Sequence, residues 1–218
     1  MSLTSLITGL FLGILGSLIV AMFVEWMRKP QLTISILSPE NSAMYSVGTA
    51  PIPFVSLKVR VSNNSLPFAF CWMQRQSARD CRATIHFLRE DKTPFIGRPM
   101  PGRWASSVEP VPLQGVIRSS GETIEIHDIA RLNADSRIHI PAGETEILDV
   151  AVRFPKDTDA FGWTNESYRY PGNRHPDYTL PKGRYLVDIL IQSEGVKKQE
   201  RFRLENDHIT KEFCLAPI

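Results

Sequence analysis

Leu180-Pro181-Lys182-Gly183-Arg184-Tyr185-Leu186-Val187-Asp188-Ile189-Leu190-Ile191 carries the clearest structural signal in the chain. Pro181 holds its own φ near the turn value and Gly183 is read as the positive-φ member of a tight turn. Beyond that turn Tyr185, Val187, Ile189 and Ile191 fall on every second position, the period of a strand with one buried face. A second turn of the same kind, Pro141-Ala142-Gly143-Glu144, leads into Leu148, Val150, Val152 and Phe154, which alternate with Asp149, Ala151 and Arg153.

The same period recurs elsewhere in the chain. In residues 31–37 the inward set is Leu32, Ile34 and Ile36; in 54–62 it is Val55, Leu57, Val59 and Val61, with Lys58 and Arg60 facing the other way. Cys81, Ala83, Ile85 and Phe87 alternate with Arg82, Thr84 and His86, and Phe202 with Leu204 begins another set. Residues 122–126 and 137–140 are weaker strand candidates, and only 127–134 and 205–213 read as short helices. About seven or eight one-sided strands separated by Pro and Gly turns predict a mainly β fold, an antiparallel immunoglobulin-like β-sandwich. No helix-period segment lies between strands, which excludes parallel βαβ units.

The N-terminus differs. Met1 to Val24 holds no charged side chain, whereas all sixteen prolines lie beyond it. As a helix that run reaches about 36 Å, against a hydrocarbon layer of about 30 Å. The chain therefore divides into a transmembrane anchor with its basic flank, 1–29, and a β-sandwich domain, 30–218; the membrane helix itself is placed at about 3–25. Trp26 suits the membrane interface, Arg28 and Lys29 suit lipid headgroups, and Pro30 ends the helix. A cleaved signal peptide would need a basic start, a shorter apolar run and a small-residue cleavage site. With no cation before Arg28, the positive-inside rule predicts a single pass with the C-terminal domain in the cytoplasm.

Ser5, Gly9, Gly13, Ser17 and Ala21 recur every fourth residue and so share one helix face, where a second backbone can approach closely. That stripe predicts lateral packing in the bilayer, either as a homo-oligomer or against another membrane protein. The 25 basic and 23 acidic side chains leave a net charge of +2 with no cluster, so nothing points to nucleic acid.

Certain strings resemble a prokaryotic family that joins a short membrane helix to an immunoglobulin-like sandwich and has no assigned activity. They are Val59-Arg60-Val61-Ser62-Asn63-Asn64, Ser77-Ala78-Arg79-Asp80-Cys81-Arg82, Gly162-Trp163-Thr164-Asn165-Glu166-Ser167-Tyr168, and residues Leu180 to Val187. The resemblance implies a fold and brings no functional residue with it.

Signals for chemistry are sparse. The histidines (His86, His127, His139, His175, His208) show no metal-pair spacing, although His127, Asp128 and His139 would converge if their strands paired. Cys71 and Cys81 enclose nine residues and can pair only if that segment folds back; with Cys214 they read more simply as small buried residues. No G-x-S-x-G elbow, glycine-rich phosphate loop or copper-type cysteine pair is present. The expectation is a protein with no catalytic residues, no metal and no cofactor.

Two long connections remain, 91–121 and 155–182, of a length that often carries function. The second includes Trp163, Tyr168, Tyr170 and Arg174, the residue types of binding hot spots. They form a candidate binding loop, with Trp104 in the first connection as a weaker second site. The competing reading has Trp163 and Tyr168 packing downward to pin the loop. The function expected is a membrane-tethered binding or scaffold module, an accessory subunit of a membrane complex. The alternative is a sensing domain holding a small molecule between the long loops.

Overall fold

The structure, a computed structural model, describes residues 3–44, 52–70, 72–108, 112–117, 123–127, 137–207 and 213–218. It opens on one apolar helix, α1 (Leu3–Arg28), which ends just before Pro30. Its stretch Ile7–Arg28 is long and apolar enough to cross a membrane, and the rest of the chain buries none of it.

Beyond Pro30 the chain is mainly β, and every pairing among the described strands is antiparallel. The first sheet runs β1 (Leu32–Ile36), β3 (Ile52–Asn63), β10 (Thr145–Arg153), β11 (Ala160–Gly162) and β12 (Thr179–Leu180). To it β2 (Glu40–Met44) adds on β3 and β6 (Arg103–Trp104) on β10. The second runs β15 (Phe213–Pro217), β14 (Val196–Asn206), β13 (Gly183–Ser193), β4 (Ala78–Leu88) and β5 (Met100–Pro101), with β9 (Ile138–Ile140) also on β4. β7 (Pro112–Ile117) and β8 (Thr123–His127) form a separate hairpin.

One apolar cluster draws from both sheets. Leu57, Val59, Val61 and Leu148 come from the first; Cys81, Ala83, Ile85, Phe87, Val187, Ile189, Ile191, Phe202 and Leu204 come from the second. These are the inward sets that the two-residue period marks in β3, β4, β13 and β14. Register agrees, because Val187 faces Phe87 and Ile189 faces Ile85 across the β13–β4 ladder. Two buried asparagines close the ends. Asn63 donates to the carbonyls of Gln76 and Ile140 at 3.0 and 3.1 Å and accepts from the Gln31 N–H. Asn206 donates to the Leu180 carbonyl at 3.0 Å and accepts from Arg153, which thus links β10 to β14.

The structure corrects the reading of β10. A bulge between Asp149 and Ala151 sets Ala151, not Val150, opposite Leu57. One extra residue inverts everything after it. Val152 and Phe154 therefore leave the main core and join Phe161, Trp163 and Tyr168 in a second cluster, with Ile52 and Phe54 packed against it. Gly183 is corrected too. It already pairs with Asn206 as the first residue of β13 and has no positive φ, whereas Gly143 does, at 82°. Of the short helices expected, His127 and Glu205 lie in β8 and β14. Residues 128–134 and 208–212 of those segments lie outside the described ones.

The long connections are not bare loops. Met100–Pro101 adds to β4 and Arg103–Trp104 adds to β10, so the chain passes from one sheet to the other at Gly102. A Cβ there would lie 2.5 Å from the Ala83 Cβ and 2.9 Å from the Leu148 Cδ1, one from each sheet. Only glycine leaves room for that crossing.

Candidate functional site where the long connections meet

Arg98, from the first long connection, reaches two carboxylates of the second: Glu166 at 3.2 Å and Asp177 at 3.4 Å. Short 3-10 turns aim these groups, Asn165–Arg169 placing Glu166 and Pro176–Tyr178 placing Asp177 and Tyr178. His175 lies beneath. Its Nδ1 accepts from the Asp177 N–H at 3.2 Å, and its Nε2 is 3.5 Å from the Glu166 carboxylate. The imidazole lies between the rings of Tyr170 and Tyr178, at centroid separations of 4.2 and 4.4 Å. The Tyr178 hydroxyl donates to the same Glu166 oxygen at 3.3 Å.

Burial dominates the electrostatics. It lowers the His175 pKa from its ordinary 6.5, against the pull of Asp177 and Glu166. It pushes the Tyr178 phenol up to about 12, so this hydroxyl stays a donor. The lowered pKa favours the neutral imidazole, with its proton assigned to Nε2 because Nδ1 already accepts. Both ring nitrogens are committed, and His175 and Tyr178 are buried. The imidazole therefore offers a substrate no free lone pair. The cluster fits a latch between two connections better than acid–base machinery.

The candidate binding loop is inverted in the same way. Trp163 and Tyr168 are buried, their rings 5.4 Å apart, and Trp163 stacks on Phe54 at 5.8 Å. Trp104 is fully buried beside Gly102. Arg174 lies 4.2 Å over the Phe154 ring and donates to Asp157 at 2.5 Å, which closes the second cluster. Tyr170 is half-buried against His175. The bulge causes this, since it turns Val152 and Phe154 outward and the aromatic loop covers them. A buried ion pair, Arg103 with Asp149 at 2.5 Å, lies on that covered side. Sequence reading missed the Arg98–Glu166–His175 convergence; opposite charges in the two long connections were its one available signal.

On α1 the packing stripe is open: a Cβ added at Gly9 or Gly13 would meet nothing within 4 Å. Ser17 donates to the Ile14 carbonyl, Ala21 is exposed, and Ser5 lies in the helix backbone. Trp26 is exposed at the helix end, and Arg28 lies 3.7 Å from Glu25. Cys81 is a buried thiol outside any disulfide, and burial raises its pKa; Cys214, also outside any disulfide, is half-buried. Cys71, Asp128 and His208 lie outside the described residues. His139 accepts from the Asp80 N–H at 3.1 Å. Among the described residues no three His, Cys, Asp or Glu side chains group as metal ligands. No protein-family model, curated protein or solved structure matches the chain.

Proposed function

We propose that the chain is a single-pass membrane protein whose β domain, an immunoglobulin-like sandwich, serves as a non-catalytic binding or scaffold subunit of a membrane complex. The observation that carries this is the bare helix. Its large apolar side chains from Ile7 to Trp26 are mostly exposed. An uninterrupted apolar surface of that size is suited to lipid and to other helices. Gly9 and Gly13 leave a groove on it for a second copy or another membrane protein. The non-catalytic assignment draws on His175, whose ring nitrogens both have partners. Arg28 and Lys29 favour a cytoplasmic domain.

Carbonate washing, intact mass and mild-detergent purification of the full chain test this together. The expected outcome is retention in the membrane at uncleaved mass, with a partner or second copy that Gly9→Ile and Gly13→Ile both release. A mature chain lacking 1–29 identifies a signal sequence instead. Unchanged association in both variants removes the helix-mediated scaffold. An active C-terminal alkaline phosphatase fusion reverses the orientation.

One feature favours the sensing alternative. An open cleft of about 580 Å³ lies between Arg89, Glu90, Asp91 and Phe95 on one side and Gly183, Arg184 and Tyr185 on the other. It borders the start of one long connection and the end of the other.

A further inference from the structure

Outside α1, the most exposed large apolar side chains among the described residues are Phe68, at 90%, and Trp72, at 74%. Both belong to one turn between β3 and β4, shaped by the Phe70 N–H on the Pro67 carbonyl and the Met73 N–H on the Phe70 carbonyl. That turn is fastened to the end of α1. The Gln76 N–H donates to the Arg28 carbonyl and the Arg75 guanidinium to the Lys29 carbonyl, each at 2.7 Å.

Depth follows from the rings. Phe70 lies 6.5 Å from Phe23 and Phe23 lies 6.2 Å from Trp26, centroid to centroid. Phe23 precedes Trp26 by three residues, about 4.5 Å along a helix. Phe70 therefore lies no more than about 2 Å beyond the level of Trp26 for a helix along the membrane normal. Aromatic rings at that level occupy the interfacial belt. Next to the turn, a cavity of about 730 Å³ is lined by Trp26, Lys29, Pro67, Arg75 and Lys197 among others, with three cations and no carboxylate. Such a surface complements lipid phosphates.

We propose that this turn is a second membrane-contacting element, with Phe68 and Trp72 seated in the interfacial lipid and the Lys29–Arg75–Lys197 cavity facing phospholipid headgroups. The proposal rests on the reading of α1 as a membrane helix. It makes the tether two-point and fixes one end of the β domain against the bilayer rather than letting it swing on Pro30.

The test is tryptophan quenching by phosphatidylcholine brominated near the headgroup, with the full chain reconstituted at high lipid excess. Trp104 and Trp163 are buried and stay bright. The wild type should lose the emission of Trp26 and Trp72, Trp26→Phe should keep about half of that loss, and Trp26→Phe with Trp72→Phe should keep almost none. If Trp26→Phe alone abolishes quenching while the chain still resists carbonate, the helix stands and the second contact is overturned. If Trp72 is shielded from both brominated lipid and aqueous iodide, a protein covers the turn and the proposal is equally overturned. Failure of the helix itself is distinct: no quenching in the wild type and release by carbonate.

Discussion

Three donors converge on a single carboxylate oxygen of Glu166: the guanidinium of Arg98, the phenol of Tyr178 and the Nε2 of His175. The Arg98 arm is half-exposed and contributes little, as surface pairs do. The buried pair beneath it matters more, because a neutral imidazole is what the site can hold. Since burial depresses the folded-state pKa of His175, the unfolded chain binds the proton more readily. Stability from this residue is thus complete above the ordinary 6.5 and declines as pH falls from there towards the lower folded value. Asp177 and Glu166 soften the decline by favouring the cation, and Arg98 sharpens it. Thermal unfolding in detergent should show a midpoint that drops below pH 6.5 in the wild type and drops less in His175→Gln. Parallel pH profiles for the two would remove His175 from the account.

At the level of elements, the crossing at Gly102 ties the edges of the two sheets. Its N–H donates to the Ala83 carbonyl at 2.9 Å, and Met100 and Trp104 are buried on either side. Gly102→Ala drives a methyl towards the Ala83 Cβ and the Leu148 Cδ1, and the Ala83 backbone carbon is only 3.3 Å away. Overpacking of this kind costs about 1–3 kcal/mol, to be read from the shift in denaturant midpoint. An unchanged midpoint would mean that the sheets have slack here. This crossing also shows where sequence reading stops. The faces of β3, β4 and β13 were legible because alternation is local and each strand keeps its period. The bulge at Val150 was not, since an inserted residue leaves the string of apolar letters unchanged while reversing their direction. Trp163 and Tyr168 inherit that blind spot: aromatics among polar neighbours look alike whether a loop faces solvent or covers a turned-out Val152 and Phe154. The His175 latch needed contacts across 68 and 79 residues of chain, which no local pattern encodes.

Across the whole molecule, the contacts between helix and β domain among the described residues gather at one end and include two hydrogen bonds from Arg75 and Gln76 and the Phe23–Phe70 ring contact. Neither apolar cluster includes a residue of α1. The helix can therefore be removed without opening the interior, and what is lost is the Phe23–Phe70 ring contact and hydrogen bonding worth about 1 kcal/mol for each bond. A fragment of residues 30–218 should fold by itself, with a β-dominated far-UV circular dichroism spectrum and one cooperative unfolding transition. Its clusters remain whole, because each of their members lies beyond Pro30. Asn63 also keeps its partners, as the Gln31 N–H and the Gln76 and Ile140 carbonyls are all retained. Fraying should be confined to the turn bearing Phe68 and Trp72, which loses its attachment and should exchange amide protons faster than β4 or β13. A helical spectrum would reject the fold, and a non-cooperative transition would show that α1 contributes to the core after all.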